Sequence, residues 1–351
     1  MLEYIGHSMA KISRSKAPLR IGLAGGGTDL KSYYTNHGGE VLNATIDMYA
    51  HTSIELLNEN KVVFEASDLS IIEEFKLDNL NFTNSKLKLH HGVYSRIVKD
   101  FLNGKIPSLK LQTYADAPQG SGLGTSSAIV VSIIKAFVEL FQIPLGEYDI
   151  AKLAYDIERV DLGLNGGKQD QYAATFGGFN YIEFTQDDKV IVNPLRIKKW
   201  IKSELEESLV LFFTGISRDS TKIIDQQVHE TSKSNSANLE AMHNLKVAAR
   251  NMKKALLIGD IKSIIEQVKI GWDAKKKTSL FISNAYLNQV YEFAIKNGAL
   301  AGKISGAGGG GFFMFFVDPQ NRSKLINSLN TIDGKVQTFE FVENGTTGWY
   351  I

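Results

Sequence analysis

The stretch 117-APQGSGLGTSSAIVVSIIKAF-137 sets three glycines, Gly120, Gly122 and Gly124, among small residues. Thr125-Ser126-Ser127 follows, and the chain then turns apolar without interruption. Ser127 to Phe141 is apolar almost all round, the pattern of a helix buried on every side. A helix start presents unsatisfied N–H groups and a partial positive charge, so an anion binds there without a cationic side chain. A plain strand-to-helix turn asks less of the sequence than three glycines and three hydroxyl-bearing neighbours. The pattern therefore predicts a phosphate cradle.

Working outward, Leu109 to Tyr114 alternates as a strand feeding that loop. In 17-APLRIGLAGG-26, Leu19, Ile21 and Leu23 alternate with Arg20 and Gly22, which puts Arg20 on the strand face opposite the core. Strands are also expected at 41–57, 61–66, 177–184 and 208–215. Helices are expected over His91 to Leu102, Ile150 to Val160, Asn238 to Ile258, Ile261 to Trp272 and Asn284 to Lys296. Composition turns polar around 185–205, so the 351 residues divide into domains at 1–195 and 205–351. Helices and strands alternate without a βαβ cadence, which predicts two α+β halves and not a doubly wound sheet.

Bulk composition narrows the function. The 39 basic and 38 acidic residues nearly cancel, giving no support to a nucleic-acid or polybasic membrane partner. The absence of cysteine removes thiolate catalysis and Cys-ligated metals. No apolar run reaches membrane-spanning or signal-peptide length, so the expected home is the cytoplasm. The dinucleotide fingerprint G-x-G-x-x-G fails because Thr125 and Leu30 stand where glycine is needed. The Walker pattern fails at Leu162 and Gln169.

Two further glycine-rich segments stand out. In 22-GLAGGGTD-29 the glycines allow close approach to the backbone, and Asp29 offers a hydroxyl acceptor. In 302-GKISGAGGGG-311, six glycines in ten residues exceed what a bend needs and favour close approach by a ligand or by the other domain. The run Phe312-Phe313 and Phe315-Phe316 reads as core strand, and Lys275-Lys276-Lys277 as a solvated helix end. His90-His91 reads as solvated or capping, and His37 as a candidate sugar contact.

Taken in order, 20-RIGLAGGGTDL-30, 118-PQGSGLGTSSA-128 and 303-KISGAGGGGFF-313 resemble the three motifs of the GHMP small-molecule kinases, in its sugar-kinase branch. The resemblance implies an N-terminal ribosomal-protein-S5-like domain, a C-terminal ferredoxin-like domain, and ATP and substrate between them. It places ATP phosphates on Pro118, Gly120, Ser121, Gly122, Leu123, Gly124, Thr125, Ser126 and Ser127. It implies Mg²⁺ held by Ser126 and Glu158, with Asp170 as catalytic aspartate and Arg20 beside it.

Gly26-Gly27-Thr28-Asp29 stands where galactokinases carry Glu-His-Thr-Asp, which argues against galactose. With 166-GGKQDQY-172 and 174-ATFGGFNYIEF-184, it is similar instead to the bacterial kinases of D-glycero-D-manno-heptose 7-phosphate, which act on the anomeric hydroxyl toward GDP-heptose. Substrate contacts are then expected at Gly26, Gly27, Thr28, Asp29, Lys168, Gln169, Arg218, Gly306, Ala307 and Gly308, with Lys168 and Arg218 on the substrate phosphate. L-fucose or another aldose is the alternative acceptor, and a non-catalytic sugar sensor the alternative class. A monomer or homodimer is expected.

Overall fold

The structure, a computed structural model, describes residues 11–216, 223–226 and 236–351. A proline-free strand of 18 residues, Gly39–Leu56 (β2), is the spine of the first half. Ile12–Ala24 (β1) runs antiparallel along one edge; Leu109–Ala115 (β5) and Phe179–Phe184 (β6) share the other. Lys61–Ala66 (β3) lies parallel to β5, Ile71–Lys76 (β4) closes that side, and Val190–Pro194 (β7) extends β6. Leu19, Ile21 and Leu23 enter the core as the alternation requires. Arg20 faces the other way yet is only 3% exposed, because that side is the wall of a cavity and not solvent.

Thr125–Phe141 (α3) packs on β1 and β2 and is enclosed by Lys88–Phe101 (α2), Glu147–Tyr155 (α4) and Gln169–Phe176 (α5). Every residue from Ala128 to Ile134 is buried, which is why the sequence there has no polar face. The helix expected to reach Val160 changes character at Asp156. Asp156–Asp161 widens into a π-helical turn, in which the Leu162 N–H donates to the Ile157 carbonyl at 3.0 Å. The short helix Lys31–His37 (α1) follows the first glycine segment.

In the second half, Leu209–Phe213 (β8), Ala299–Ile304 (β9), Phe312–Val317 (β10) and Lys335–Gln337 (β11) form an antiparallel sheet of order β11-β8-β10-β9. With it go Ser236–Ile258 (α7), Ile261–Thr278 (α8), Ala285–Lys296 (α9) and Arg322–Leu329 (α10). All six residues of β10 are buried. Phe312, Met314 and Phe316 join the core shared with the first half, while Phe313, Phe315 and Val317 join a second core with Trp272 and Leu287. A strand apolar on both faces has to read as an unbroken apolar run.

Two features depart from the expected division. The polar stretch 185–205 contains β7 and most of Lys199–Ser208 (α6), whose Ile201 and Leu205 are buried in the shared core. The chain end, assigned to the second domain, returns to the first: Thr347–Tyr350 (β12) pairs with β1, and Phe341 bridges Ile46. The cause is apolar. Phe341 is buried, with its ring 4.7 Å from that of Phe179.

Candidate active site

All three glycine-rich segments meet at a cavity of about 460 Å³ between the two halves. Gly120, Gly122, Gly124, Thr125, Ser126 and Ser127 line it at the start of α3. Gly120, Gly122 and Gly124 all take positive φ, which folds the loop back so that the first turn of the helix opens onto the cavity. Pro118, Ser121 and Leu123 do not line the cavity; they shape the loop from behind. The Leu123 carbonyl accepts the Arg20 N–H at 3.0 Å, and the Ser121 carbonyl accepts the Phe312 N–H at 2.9 Å.

Packed against the loop, Arg20 and Asp170 form an ion pair. Nε of Arg20 donates to Asp170 Oδ1 at 2.8 Å and Nη2 lies 2.5 Å from the same oxygen. Nη1 of Arg20 donates to the Gly122 carbonyl at 2.5 Å, which ties the pair to the phosphate loop. Asp29 accepts from the Gly27 N–H at 3.0 Å, the Gln169 N–H at 3.2 Å and Gln169 Nε2 at 3.1 Å. The pair Gly166-Gly167 makes room for this arrangement. A Cβ on Gly167 would fall 1.8 Å from Asp29 Oδ2, and one on Gly166 would fall 2.4 Å from Arg159 Cζ.

Glu158 lies on the π-helical turn with its side chain 1% exposed, on the cavity wall and 3.4 Å from Ser126 Oγ. Gln171 Nε2 donates to its other oxygen at 2.5 Å. Among the described residues no group of three acidic or histidine side chains could hold a metal. One carboxylate and one hydroxyl nevertheless fit Mg²⁺, which takes most of its oxygens from phosphate and water.

Several expected contacts lie elsewhere. Lys168 does not line the cavity; Nζ sits 2.6 Å from Asp188 Oδ1, between the rings of Tyr34 and Tyr155 at 5.0 and 4.9 Å. Its charge is spent on that carboxylate and those ring faces. Replacing Lys168 with Ala is therefore expected to lower thermal stability and leave KM for a phosphorylated acceptor unchanged, by melting curves and steady-state kinetics. Thr28 is buried and locks the segment through the Gly25 and Glu40 carbonyls at 2.8 and 2.9 Å. Gly26 stands behind Gln169 and Lys275 and is not on the wall. Gly27, Asp29, Gln169, Gly306, Ala307 and Gly308 do line the cavity. His37 packs against Tyr33 and His243 instead of the cavity. His90 is buried on Thr113 Oγ1 at 2.9 Å, and burial pushes its imidazole down to about 4. Arg218 lies outside the described residues.

Lys275 is the main addition. Read as a solvated helix end, it is 5% exposed, lines the cavity, and donates to the Gly306 carbonyl. The signal was present in the periodicity: Ile264, Val268 and Trp272 form the buried stripe of α8, and Lys275 falls next on it. Lys303, buried beside it, donates to the Gly22 and Leu23 carbonyls at 2.7 and 3.3 Å and so joins β9 to the end of β1.

The family of small-molecule kinases is also found by comparison. The GHMP kinase N-terminal domain model matches residues 88–178, and the GHMP kinase C-terminal model matches 252–333. The chain belongs to the GHMP kinase family. It is 48% identical over 342 residues to the D-glycero-alpha-D-manno-heptose 7-phosphate kinase of Campylobacter jejuni, covering 97% of this chain and 100% of that one. A crystal structure described as a D-glycero-D-manno-heptose 1-phosphate kinase from Bacteroides thetaiotaomicron superposes with TM-score 0.83 at 44% identity, over 97% of this chain and 99% of the other. The galactokinase of Lactococcus lactis shares the fold, with TM-score 0.76 at 19% identity over 96% of this chain and 95% of that one.

Proposed function

We propose that this sugar-phosphate kinase transfers the γ-phosphoryl group of ATP to the anomeric hydroxyl of D-glycero-D-manno-heptose 7-phosphate, giving the 1,7-bisphosphate for GDP-heptose synthesis in the cytoplasm. The observation carrying the chemistry is the Arg20–Asp170 pair packed against the loop Gly120–Ser127 on the wall of one cavity. The whole-length similarity to a heptose 7-phosphate kinase supports the acceptor.

In this reading the loop N–H groups and the start of α3 hold the nucleotide phosphates. Both Arg20 contacts fall on Asp170 Oδ1, so Oδ2 would be the oxygen that takes the acceptor hydroxyl. The hydroxyl proton passes to Asp170 as the new O–P bond forms and the bond to ADP breaks. Proton removal is needed only late in such a transfer, so an ionised carboxylate suffices. Asp29, held by Gln169, orients the sugar hydroxyls. Ser126 and Glu158 would hold Mg²⁺, which would neutralise charge on the phosphates.

Coupled ADP release with Mg·ATP and heptose 7-phosphate, followed by phosphorus NMR of the product, tests the assignment. A bisphosphate carrying an anomeric phosphoester is expected. The two close relatives differ in name over which phosphate the acceptor already bears, and the product separates them. Turnover confined to a heptose 1-phosphate or to an unphosphorylated aldose overturns the acceptor.

Lys275 gives the site a pH dependence. Burial pushes its ammonium from 10.5 down to about 8; Asp29 and Asp170 oppose that fall, and Arg20 adds to it. Between those values the unfolded chain holds the proton and the folded chain does not. The Lys275 contribution to stability therefore rises with pH across that window. Charged at neutral pH, Lys275 faces the incoming phosphates; above pH 8 that attraction fades. The expected result is an alkaline fall in kcat/KM near pH 8 that Lys275→Met removes, with a loss of roughly 10- to 100-fold at pH 7. An unchanged alkaline limb in Lys275→Met refutes the role.

A further inference from the structure

The proposed acceptor brings a phosphate of its own; of the two residues expected to hold it, Lys168 is turned to Asp188 and Arg218 lies outside the described residues. Among the described residues the cavity wall carries three cations: Arg20, Lys275 and Arg159. Arg20 is committed to Asp170 and the Gly122 carbonyl, and Lys275 donates to the Gly306 carbonyl. Arg159 is different. Its side chain is 14% exposed, its Nε is buried with no hydrogen-bond partner, and Nη1 reaches only the Leu164 carbonyl at 3.5 Å and Glu158 Oε1 at 3.7 Å. A buried N–H with no partner is costly, and the fork of the guanidinium beyond it is partly exposed on the wall.

We propose that Arg159 is the residue that grips the acceptor's own phosphate, and thereby selects a phosphorylated sugar; this rests on the acceptor class proposed above. The π-helical turn lets consecutive residues, Glu158 and Arg159, both reach the cavity wall. The loop that follows is shaped around the guanidinium: any Cβ on Gly166 would overlap it. The next residue, Gly167, leaves corresponding room for Asp29 on the sugar side, so Arg159 and Asp29 pack against adjacent residues of one loop. The nucleotide phosphates already have the glycine loop and the α3 N-terminus. A planar fork of donors matches a phosphate monoester bidentately, which a lysine cannot do.

The test varies heptose 7-phosphate and ATP separately in the full-length enzyme, using Arg159→Gln, Arg159→Lys and Gly166→Ala. Arg159→Gln is expected to raise KM for the phosphorylated acceptor roughly 10- to 100-fold, as loss of a charged hydrogen-bonding pair does. The kcat/KM ratio of phosphorylated over unphosphorylated heptose should fall by the same factor, while KM for ATP moves by less than about threefold. Arg159→Lys recovers part of the ratio, and Gly166→Ala lowers it by displacing an intact guanidinium. A rise in KM for ATP in place of the acceptor would move Arg159 to the nucleotide and overturn the proposal. Equal losses for both acceptors would reduce it to a prop for the 164–167 loop, which also overturns it. If the wild-type enzyme shows no preference for the phosphorylated sugar, the acceptor assignment fails before any variant is read.

Discussion

Asp170→Asn is expected to lower kcat by about 10³-fold or more while ATP still binds, because the variant keeps an acceptor for Arg20 and loses the base and the charge. The geometry makes this a clean substitution. Asp170 Oδ1 takes both Arg20 contacts, and an Asn carbonyl can occupy the same position. Arg20, nearly buried, then stays hydrogen-bonded to the Gly122 carbonyl, so the phosphate loop is not released. Coupled ADP release gives the rate, and nucleotide titration followed by tryptophan fluorescence or calorimetry gives the binding. Retention of more than about a tenth of wild-type kcat would remove Asp170 from the chemistry, since general bases contribute about 10²- to 10⁴-fold. Loss of ATP binding in parallel would instead make the pair a structural clamp.

What could be read in the sequence was local. The glycine loop and α3 are adjacent in the chain, so the junction of glycine, hydroxyl and apolar helix stated its own geometry. Charge was less informative than position. Lys168 and Lys275 are both lysines near candidate segments, yet Lys168 turns to Asp188 and Lys275 enters the cavity from the other half. Direction comes from the helix face and from partners distant in sequence, of which only the face was legible. Strand β12, four residues long, carries no signal by itself; it exists because β1 offers an unpaired edge and Phe341 a buried anchor. The π-helical turn is likewise invisible to a period of 3.6, though it sets Glu158 and Arg159.

The abundance of glycine at 302–311 has its explanation between the halves, and it gives the second large effect. Gly122 has φ +83°, and a Cβ there would lie 2.3 Å from the Ser305 carbonyl oxygen. Gly306 has φ +75°, and its Cβ would lie 2.6 Å from Gly122 Cα; that of Gly311 would lie 2.2 Å from the Ser121 carbonyl oxygen. The two glycine segments are packed backbone against backbone, so the opposing atoms are not flexible side-chain ends. Ser305 is pinned, its N–H donating to the Phe312 carbonyl at 2.9 Å. Gly122→Ala is therefore expected to cost about 2–4 kcal/mol, from positive-φ strain plus the carbonyl clash. It should also lower kcat/KM by more than about 100-fold, because the displaced loop drags the Arg20 contact and the phosphate donors with it. Gly104→Ala is the control: φ is +75° with nothing within 4 Å, so only the strain of about 1 kcal/mol should appear. Urea unfolding and steady-state kinetics read both quantities. The double variant Gly122→Ala/Gly306→Ala should lose less than the sum of the singles, since both push apart the same contact. Full additivity, or a Gly122→Ala enzyme no worse than Gly104→Ala, would show that the halves do not need this backbone contact to form the site.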